Sequence, residues 1–235
     1  MPEAQVSNEN TRVYAIGDIH GRLDLLDRMI SAIARDAAQH GGDSLTITLG
    51  DYVDRGPKSR GVIERLLANP FPGAYVALKG NHEALLESFL AEPQTGQHWW
   101  HLGGLETMKS FGVRAGGGRD FEPAAAELRA ALTPQHMKFF SSLKMSLTAG
   151  RYFLCHAGVR PGVALERQSD EDLLWIRDEF LDSEADFGKI VVHGHTPVVE
   201  PQVRPNRINI DTGAFVTGRL TCVVLEGVSH RFITA

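Results

Sequence analysis

Six side chains with metal-binding donors stand at the ends of apolar, strand-like runs: Asp18, His20, Asp51, Asn81, His156 and His195. Each has a glycine within two residues, which lets the backbone turn sharply beside a ligand. Taken singly, a histidine after a strand is usually a hydrogen-bonded structural residue, and an aspartate there often caps a helix. Five strand ends with matching chemistry argue instead for one shared site. Imidazole mixed with carboxylate and amide oxygen suits manganese, iron or zinc better than an all-oxygen magnesium or calcium cage. Asp18 and His20 are two residues apart, so an extended turn lets both face one ion. Two divalent ions about 3.5–4 Å apart can share a carboxylate and lower the pKa of a bridging water, making a nucleophile at neutral pH. Such a pair outweighs the two aspartates and leaves a positive centre that would attract a phosphate dianion.

The spacing of apolar residues predicts the elements that must position these groups. Arg12 to Ile16, Leu45 to Leu49 and Tyr75 to Leu78 read as short buried strands. Between them lie two helical patterns, one carrying Leu26, Met29, Ile30, Ile33 and Ala37 up to Gly41-Gly42, the other running from Ser59 to Ala68. A third helix follows Lys79-Gly80-Asn81-His82-Glu83. Alternation of this length implies a parallel α/β arrangement. Residues 93–142 contain no convincing strand and read as a helical insert: Gln97 to Phe111, Pro123 to Leu132, and Pro134 to Ser142 capped by Thr133. Gly116-Gly117-Gly118 follows no strand and lacks the lysine and hydroxyl of a P-loop, so it reads as a flexible linker. Strands resume at Met145 to Ala149 and Tyr152 to Cys155. Ser169 and Asp172 then cap a helix that includes Leu174 to Phe180. Ile190 to Val192, Ile208 to Ile210, Leu220 to Leu225 and Arg231 to Thr234 supply the remaining strands. His40, His136 and His230 read as surface residues, and the His98-Trp99-Trp100-His101 run as packing within the insert.

Composition narrows the function classes. The 235 residues suit a single domain over 11–235, with 1–10 as a disordered tail. A net charge of −5 with no basic run argues against a nucleic-acid partner. No apolar run approaches the roughly 20 residues that span a bilayer, so no membrane partner is expected. Cys155 and Cys222 both sit in apolar runs and read as buried free thiols. With no signal-peptide pattern in Met1 to Asn10, this points to a cytoplasmic protein.

Gly-Asp-Ile-His-Gly at 17–21, Gly-Asp-Tyr-Val-Asp-Arg-Gly at 50–56, Gly-Asn-His-Glu at 80–83, His-Ala-Gly at 156–158 and Gly-His-Thr at 194–196 occur in that order. Together they resemble the phosphoprotein phosphatase family of calcineurin-like metallophosphoesterases, most closely its small bacterial and phage serine/threonine phosphatases. The resemblance implies an α/β fold, a β-sandwich flanked by helices in four α-β-β-α layers, and a dinuclear centre of two divalent transition-metal ions, manganese foremost with iron or zinc as alternatives. By motif match Asp18 and His20 would bind the first ion, Asn81, His156 and His195 the second, and Asp51 both. His82 would be the general acid, with Asp54 orienting its imidazole. Arg55, Arg177 and Asn81 would hold the phosphate, Arg177 from the helix after His156. Pro197 stands where many phosphodiesterase relatives have a further ligand histidine, which leans the reading towards monoesters.

The expected activity is therefore hydrolysis of phosphoserine or phosphothreonine, with phosphotyrosine as a further candidate, in a protein or peptide substrate by a metal-bridging hydroxide. The alternative is hydrolysis of a dinucleoside polyphosphate such as diadenosine tetraphosphate. An alkoxide leaves poorly unless protonated, whereas a phosphate leaves readily, so the presence of both His82 and Asp54 favours the first.

Overall fold

The computed structural model describes residues 5–6, 11–114 and 121–235. The first half alternates strands and helices: β1 (Gln5–Val6), β2 (Arg12–Ile16), α1 (Leu23–His40), β3 (Ser44–Thr48), α2 (Ser59–Leu67), β4 (Ala74–Ala77) and α3 (Asn81–Ala91). The insert follows as α4 (Gly96–Trp99), a wide π-helical turn (Trp100–Gly104), α5 (Leu105–Ser110), α6 (Glu122–Ala131) and α7 (Pro134–Ser142). The second half contains β5 (Ser146–Ala149), β6 (Tyr152–Cys155), α8 (Asp170–Trp175), α9 (Asp178–Leu181), β7 (Ile190–His193), β8 (Gln202–Val203), β9 (Arg207–Asn209), α10 (Ala214–Thr217), β10 (Thr221–Glu226) and β11 (Ser229–Thr234). Expected and observed boundaries agree within a residue or two, and β8 is a strand the apolar pattern did not reveal. The glycine run at 116–118 and most of the expected tail lie outside the described residues, although Gln5–Val6 pair in parallel with Thr148 and Ala149.

The strands form two sheets, ordered β1-β5-β6-β7-β9-β8 and β11-β10-β2-β3-β4. Side-chain alternation explains the layering, because successive residues of a strand face opposite sides. Val13 and Ala15 pack towards the other sheet with Leu45, Ile47, Leu154, Val192 and Ile208. Tyr14 and Ile16 face the opposite way, onto Leu25, Leu26, Met29 and Ile33 of α1. On the far side, Phe153, Cys155 and Val191 meet Leu173, Ile176 and Phe180. The result is a β-sandwich with helices on both outer faces, the four-layer α/β arrangement expected. The β2, β3, β4 and β6, β7, β9 sets are each parallel, so their carboxyl ends open on the same loops.

Two local expectations need correction. The helix expected through Phe180 breaks: Ile176 is extended (ψ 141°) and Arg177 has φ −131° and ψ −102°. Arg177 therefore precedes α9 on an exposed bend rather than lying within a helix. His136 is not on the surface. It is 2% exposed, its N–H donates to the Thr133 hydroxyl (3.3 Å), and its Nδ1 accepts the Thr133 N–H (3.1 Å), a reciprocal cap for α7.

Candidate dinuclear metal centre

All six predicted donors converge at the carboxyl ends of the parallel strands, and all are buried. The turns that carry them are strained. Six non-glycine residues among those described have positive φ, and five are in this site: His20, Asp51, Asp54, Arg55 and His195. Left-handed backbone costs such residues roughly 1–2 kcal/mol each, so surrounding contacts must hold them there.

The most extensive such contact comes from the glutamate at the start of α3. Glu83, fully buried, accepts four backbone N–H groups: Asp51 (2.9 Å), Tyr52 (2.8 Å), Val53 (3.2 Å) and Gly80 (3.0 Å). The 51–53 turn is thereby wrapped around one carboxylate. Burial and the charge of Asp51 raise the Glu83 carboxyl to about 8, while four donors and no acceptor around it favour the ionised form.

Two tight groups of donor atoms form, His20–Asp51–His82 and Asp51–His156–His195, with Asp51 common to both. Asp51 Oδ2 lies 3.3 Å from His20 Nε2, and Oδ1 lies 3.4 Å from His156 Nε2. His20 Nδ1 is 2.8 Å from the Val53 carbonyl and His156 Nδ1 is 2.9 Å from that of Leu49, so each donates there and turns its Nε2 lone pair into the site. His156 Nε2 then faces the Asn81 Oδ1 lone pair at 2.8 Å, and the same oxygen lies 2.9 Å from His195 Nδ1. Lone pairs aimed at one another repel unless a cation lies between them. Asp18 Oδ1, His20 Nε2 and His195 Nε2 are buried with no hydrogen-bond partner. Burial and the charges of Asp211 and Asp51 push the Asp18 carboxyl well above its ordinary range, and burial beside His156 holds His195 neutral, down to about 2. An unpaired Asp18 oxygen, inward-facing lone pairs, and His156 and His195 both held below the ordinary imidazole range by burial are what a pair of divalent ions would satisfy, so the residues fit such a centre.

Asp18 is not in the tightest groups; its Oδ2 accepts the His195 N–H at 3.1 Å, which leaves Oδ1 for a cation. His82 is in one, but both its nitrogens are occupied. Nδ1 donates to Asp54 Oδ2 (2.7 Å), and Nε2 accepts from Arg55 Nη2 (3.1 Å). Asp211 is a missed member: it is 3% exposed and is held by the Gly213 N–H at 2.9 Å. The signal that marks the other donors also marks Asp211, since it follows a strand and stands two residues before a glycine. The Arg177 guanidinium makes no hydrogen bond to a described residue, although its charge helps to keep His195 neutral. His193 is buried against Phe180 (4.9 Å) and is held down to about 3 by burial. Cys155 turns away from the site, its thiol 3.5 Å from the Gly158 carbonyl, and both cysteines are buried and free.

A family model described as calcineurin-like phosphoesterase matches residues 11–220. The chain belongs to that family. It is a phosphoesterase, and the family uses a dinuclear divalent metal centre, which the two donor groups could hold. The chain is 28% identical to bis(5'-nucleosyl)-tetraphosphatase PrpE (asymmetrical) of Anoxybacillus flavithermus, over 88% of both chains. Against the protein of that name from Bacillus subtilis it is again 28% identical, over 88% of this chain and 87% of the relative. Among solved structures it resembles a candidate diadenosine tetraphosphatase (TM-score 0.68, 22% identity, 98% and 96% of the two chains). It also resembles a protein serine/threonine phosphatase from Saccharomyces cerevisiae (TM-score 0.59, 14% identity, 97% and 80%). The structural likenesses establish the fold alone. The family expectation stands, but these two sequence relatives are tetraphosphatases, not the protein serine/threonine phosphatases expected from the motifs. No helix among the described residues is long and apolar enough to cross a membrane.

Proposed function

We propose that this phosphoesterase hydrolyses dinucleoside polyphosphates, cutting a bis(5'-nucleosyl) tetraphosphate asymmetrically into a nucleoside triphosphate and a nucleoside monophosphate. The match to relatives of that activity along nearly their whole length carries the reading, and it reverses the order expected from the motifs. The rim of the site supports it. Phe215 lies edge-on to His20 at 5.4 Å, and Trp175, 38% exposed, lies edge-on to His195 at 6.3 Å. One ring thus borders each donor group, where a nucleobase could stack.

Asp18, His20 and Asp51 would hold one ion, and Asp51, Asn81, His156 and His195 the other, with manganese favoured over iron or zinc. When bound, the ions would polarise phosphoryl oxygens and activate the attacking water. Arg55, whose guanidinium lies 4.7 Å from the Phe215 ring centre, would offer its fork to the phosphate chain. Moving to phosphate would release His82 Nε2 to take up a proton from solvent, and the imidazolium held by Asp54 would pass that proton to the departing oxygen. Arg177, on the exposed bend beside Trp175, would meet phosphates further out. The two buried thiols suit a reducing, cytoplasmic setting.

A second reading, phosphomonoester hydrolysis on a phosphorylated protein or peptide, is favoured by one observation, the 2.7 Å bond between Asp54 and His82. A well-oriented acid matters most for a basic leaving group. The test compares kcat/KM for diadenosine tetraphosphate and a phosphoserine peptide under matched metal and pH. We expect at least a tenfold preference for the dinucleotide, about 1.4 kcal/mol in transition-state stabilisation. A phosphopeptide preference would restore the monoester reading.

A further inference from the structure

Residues 93–142 read in sequence as a helical insert, with Trp99 and Trp100 as packing within it. Its contacts give it a second part to play. Trp99 is fully buried, and its indole Nε1 donates to Asp54 Oδ2 at 2.7 Å, the same oxygen that receives His82 Nδ1. Thr107, also fully buried, donates to the other oxygen, Oδ1, at 2.6 Å and accepts the Asp54 backbone N–H at 2.8 Å. The Gly103 carbonyl accepts the Arg55 N–H at 3.2 Å. These four hydrogen bonds, from three residues of the insert, clamp two consecutive left-handed residues, Asp54 (φ 70°) and Arg55 (φ 66°), a conformation that the long Arg55 side chain does not favour.

The local sequence is shaped for this clamp. The π-helical turn between α4 and α5 widens the helix where Gly103 adopts φ 111°. A Cβ at Gly103 would meet the Arg55 nitrogen at 2.6 Å, and one at Gly104 would collide with the Trp99 ring. The paired glycines thus let the insert approach the 54–55 turn and let the indole lie against the helix that carries it. Phe89 of α3 backs that indole at a ring separation of 4.8 Å.

We infer that Trp99 and Thr107 are positioning residues for the acid: the insert fixes the Asp54 carboxylate, and through it the tautomer and direction of the His82 imidazole. Three donors from three separate elements leave that carboxylate one orientation. The idea rests on His82 acting as the acid, and it makes the insert a working part of the catalytic machinery in this chain.

The metal-loaded enzyme is assayed on a series of aryl phosphates of rising leaving-group basicity, with metal content measured for every variant. Trp99→Phe keeps the ring and removes the N–H. It should lower kcat about tenfold for the most basic leaving group and little for nitrophenyl phosphate, with KM and bound metal unchanged. On an Asp54→Asn background the same change should cost less than about twofold, because the partner it acts through is already altered. Thr107→Val should mirror Trp99→Phe, and Thr107→Ser should recover most of the rate. A uniform loss across the series, or an undiminished loss on Asp54→Asn, would overturn the inference. The chain has three tryptophans, so a nitrogen-15 spectrum resolves three indole N–H signals, and the one absent from Trp99→Phe should move in Asp54→Asn. An unmoved signal refutes the contact whatever the kinetics. His82→Asn with a flat leaving-group response refutes the acid reading itself, separately from Trp99.

Discussion

The strand-end loops and the helical insert meet on one residue pair, Asp54 and Arg55, and approach it by opposite means. The loops present donors from strained backbone. His20, Asp51 and His195 all have positive φ, and glycines at 17, 50, 80 and 194 make room for close neighbours. The insert presents Trp99 and Thr107 from helical backbone, with the wide turn at Gly103 between them. A ligand sphere needs several donors aimed at one point, which forces unusual turns. Orienting a single carboxylate needs only one polar handle on an otherwise apolar, packed helix. Function that demands convergence leaves a mark on the sequence, and function exercised through one buried contact leaves almost none.

The sharpest way to break this comparison is to remove the point of convergence. Chelation should abolish hydrolysis, and Asp51→Asn should lower kcat/KM by about 10³–10⁵, since several kcal/mol of metal-derived stabilisation would go with it. Bound metal, counted by elemental analysis, should fall on that variant. Two ions held as tightly as before would mean that Asp51 is not shared. His82→Asn should retain both ions and cost roughly 10²–10⁴ on a basic leaving group, because it removes a proton donor and no ligand. A drop in metal content would move His82 from acid to ligand.

The degree to which the site was legible follows the same division. Asp18, His20, Asp51, Asn81, His156 and His195 were readable because each combines a strand end, a chemically costly residue and a nearby glycine. Asp211 carried the same signal, with Thr212 between it and Gly213 just as Ala157 stands between His156 and Gly158. Glu83 was hidden because an acidic residue in the first turn of a helix is ordinary, and three of its four N–H partners lie 30 to 32 residues away along the chain, the fourth in its own cap. Trp99 and Thr107 sit 45 and 53 residues from Asp54 in a stretch whose apolar pattern is fully explained by packing. Most strands were visible one by one and their pairing into a sandwich came from the resemblance, whereas β1 falls in the expected tail, β8 is exposed and two residues long, and the break at Ile176–Arg177 interrupts an unbroken helical pattern.

Glu83→Gln sharpens the comparison from the loop side at a smaller cost. The amide keeps one acceptor oxygen but turns an NH2 group towards N–H donors, leaving at least one backbone donor buried and unpaired. Urea unfolding should show a loss of about 1–3 kcal/mol. Because the 51–53 turn is what Glu83 holds, metal affinity should fall in the same variant. Unchanged affinity would show that the turn keeps its shape without the clamp.

The smallest effect comes from the insert and separates its stability from its anchorage. Thr133 caps α7 through its hydroxyl, and His136 returns the bond, some distance along the chain from Trp99 and Thr107. Thr133→Ala removes one acceptor at the helix start and should cost about 1 kcal/mol, lowering the melting temperature by roughly 2–4 °C for a domain of this size. If the insert acts on the acid only through its two polar handles, that loss should leave kcat and its dependence on leaving-group basicity within about twofold of the parent, because neither handle is touched. A stability loss accompanied by the same steepened dependence as Trp99→Phe would mean that the insert works through its overall rigidity, and the distinction between a polar handle and a packed cover would fail.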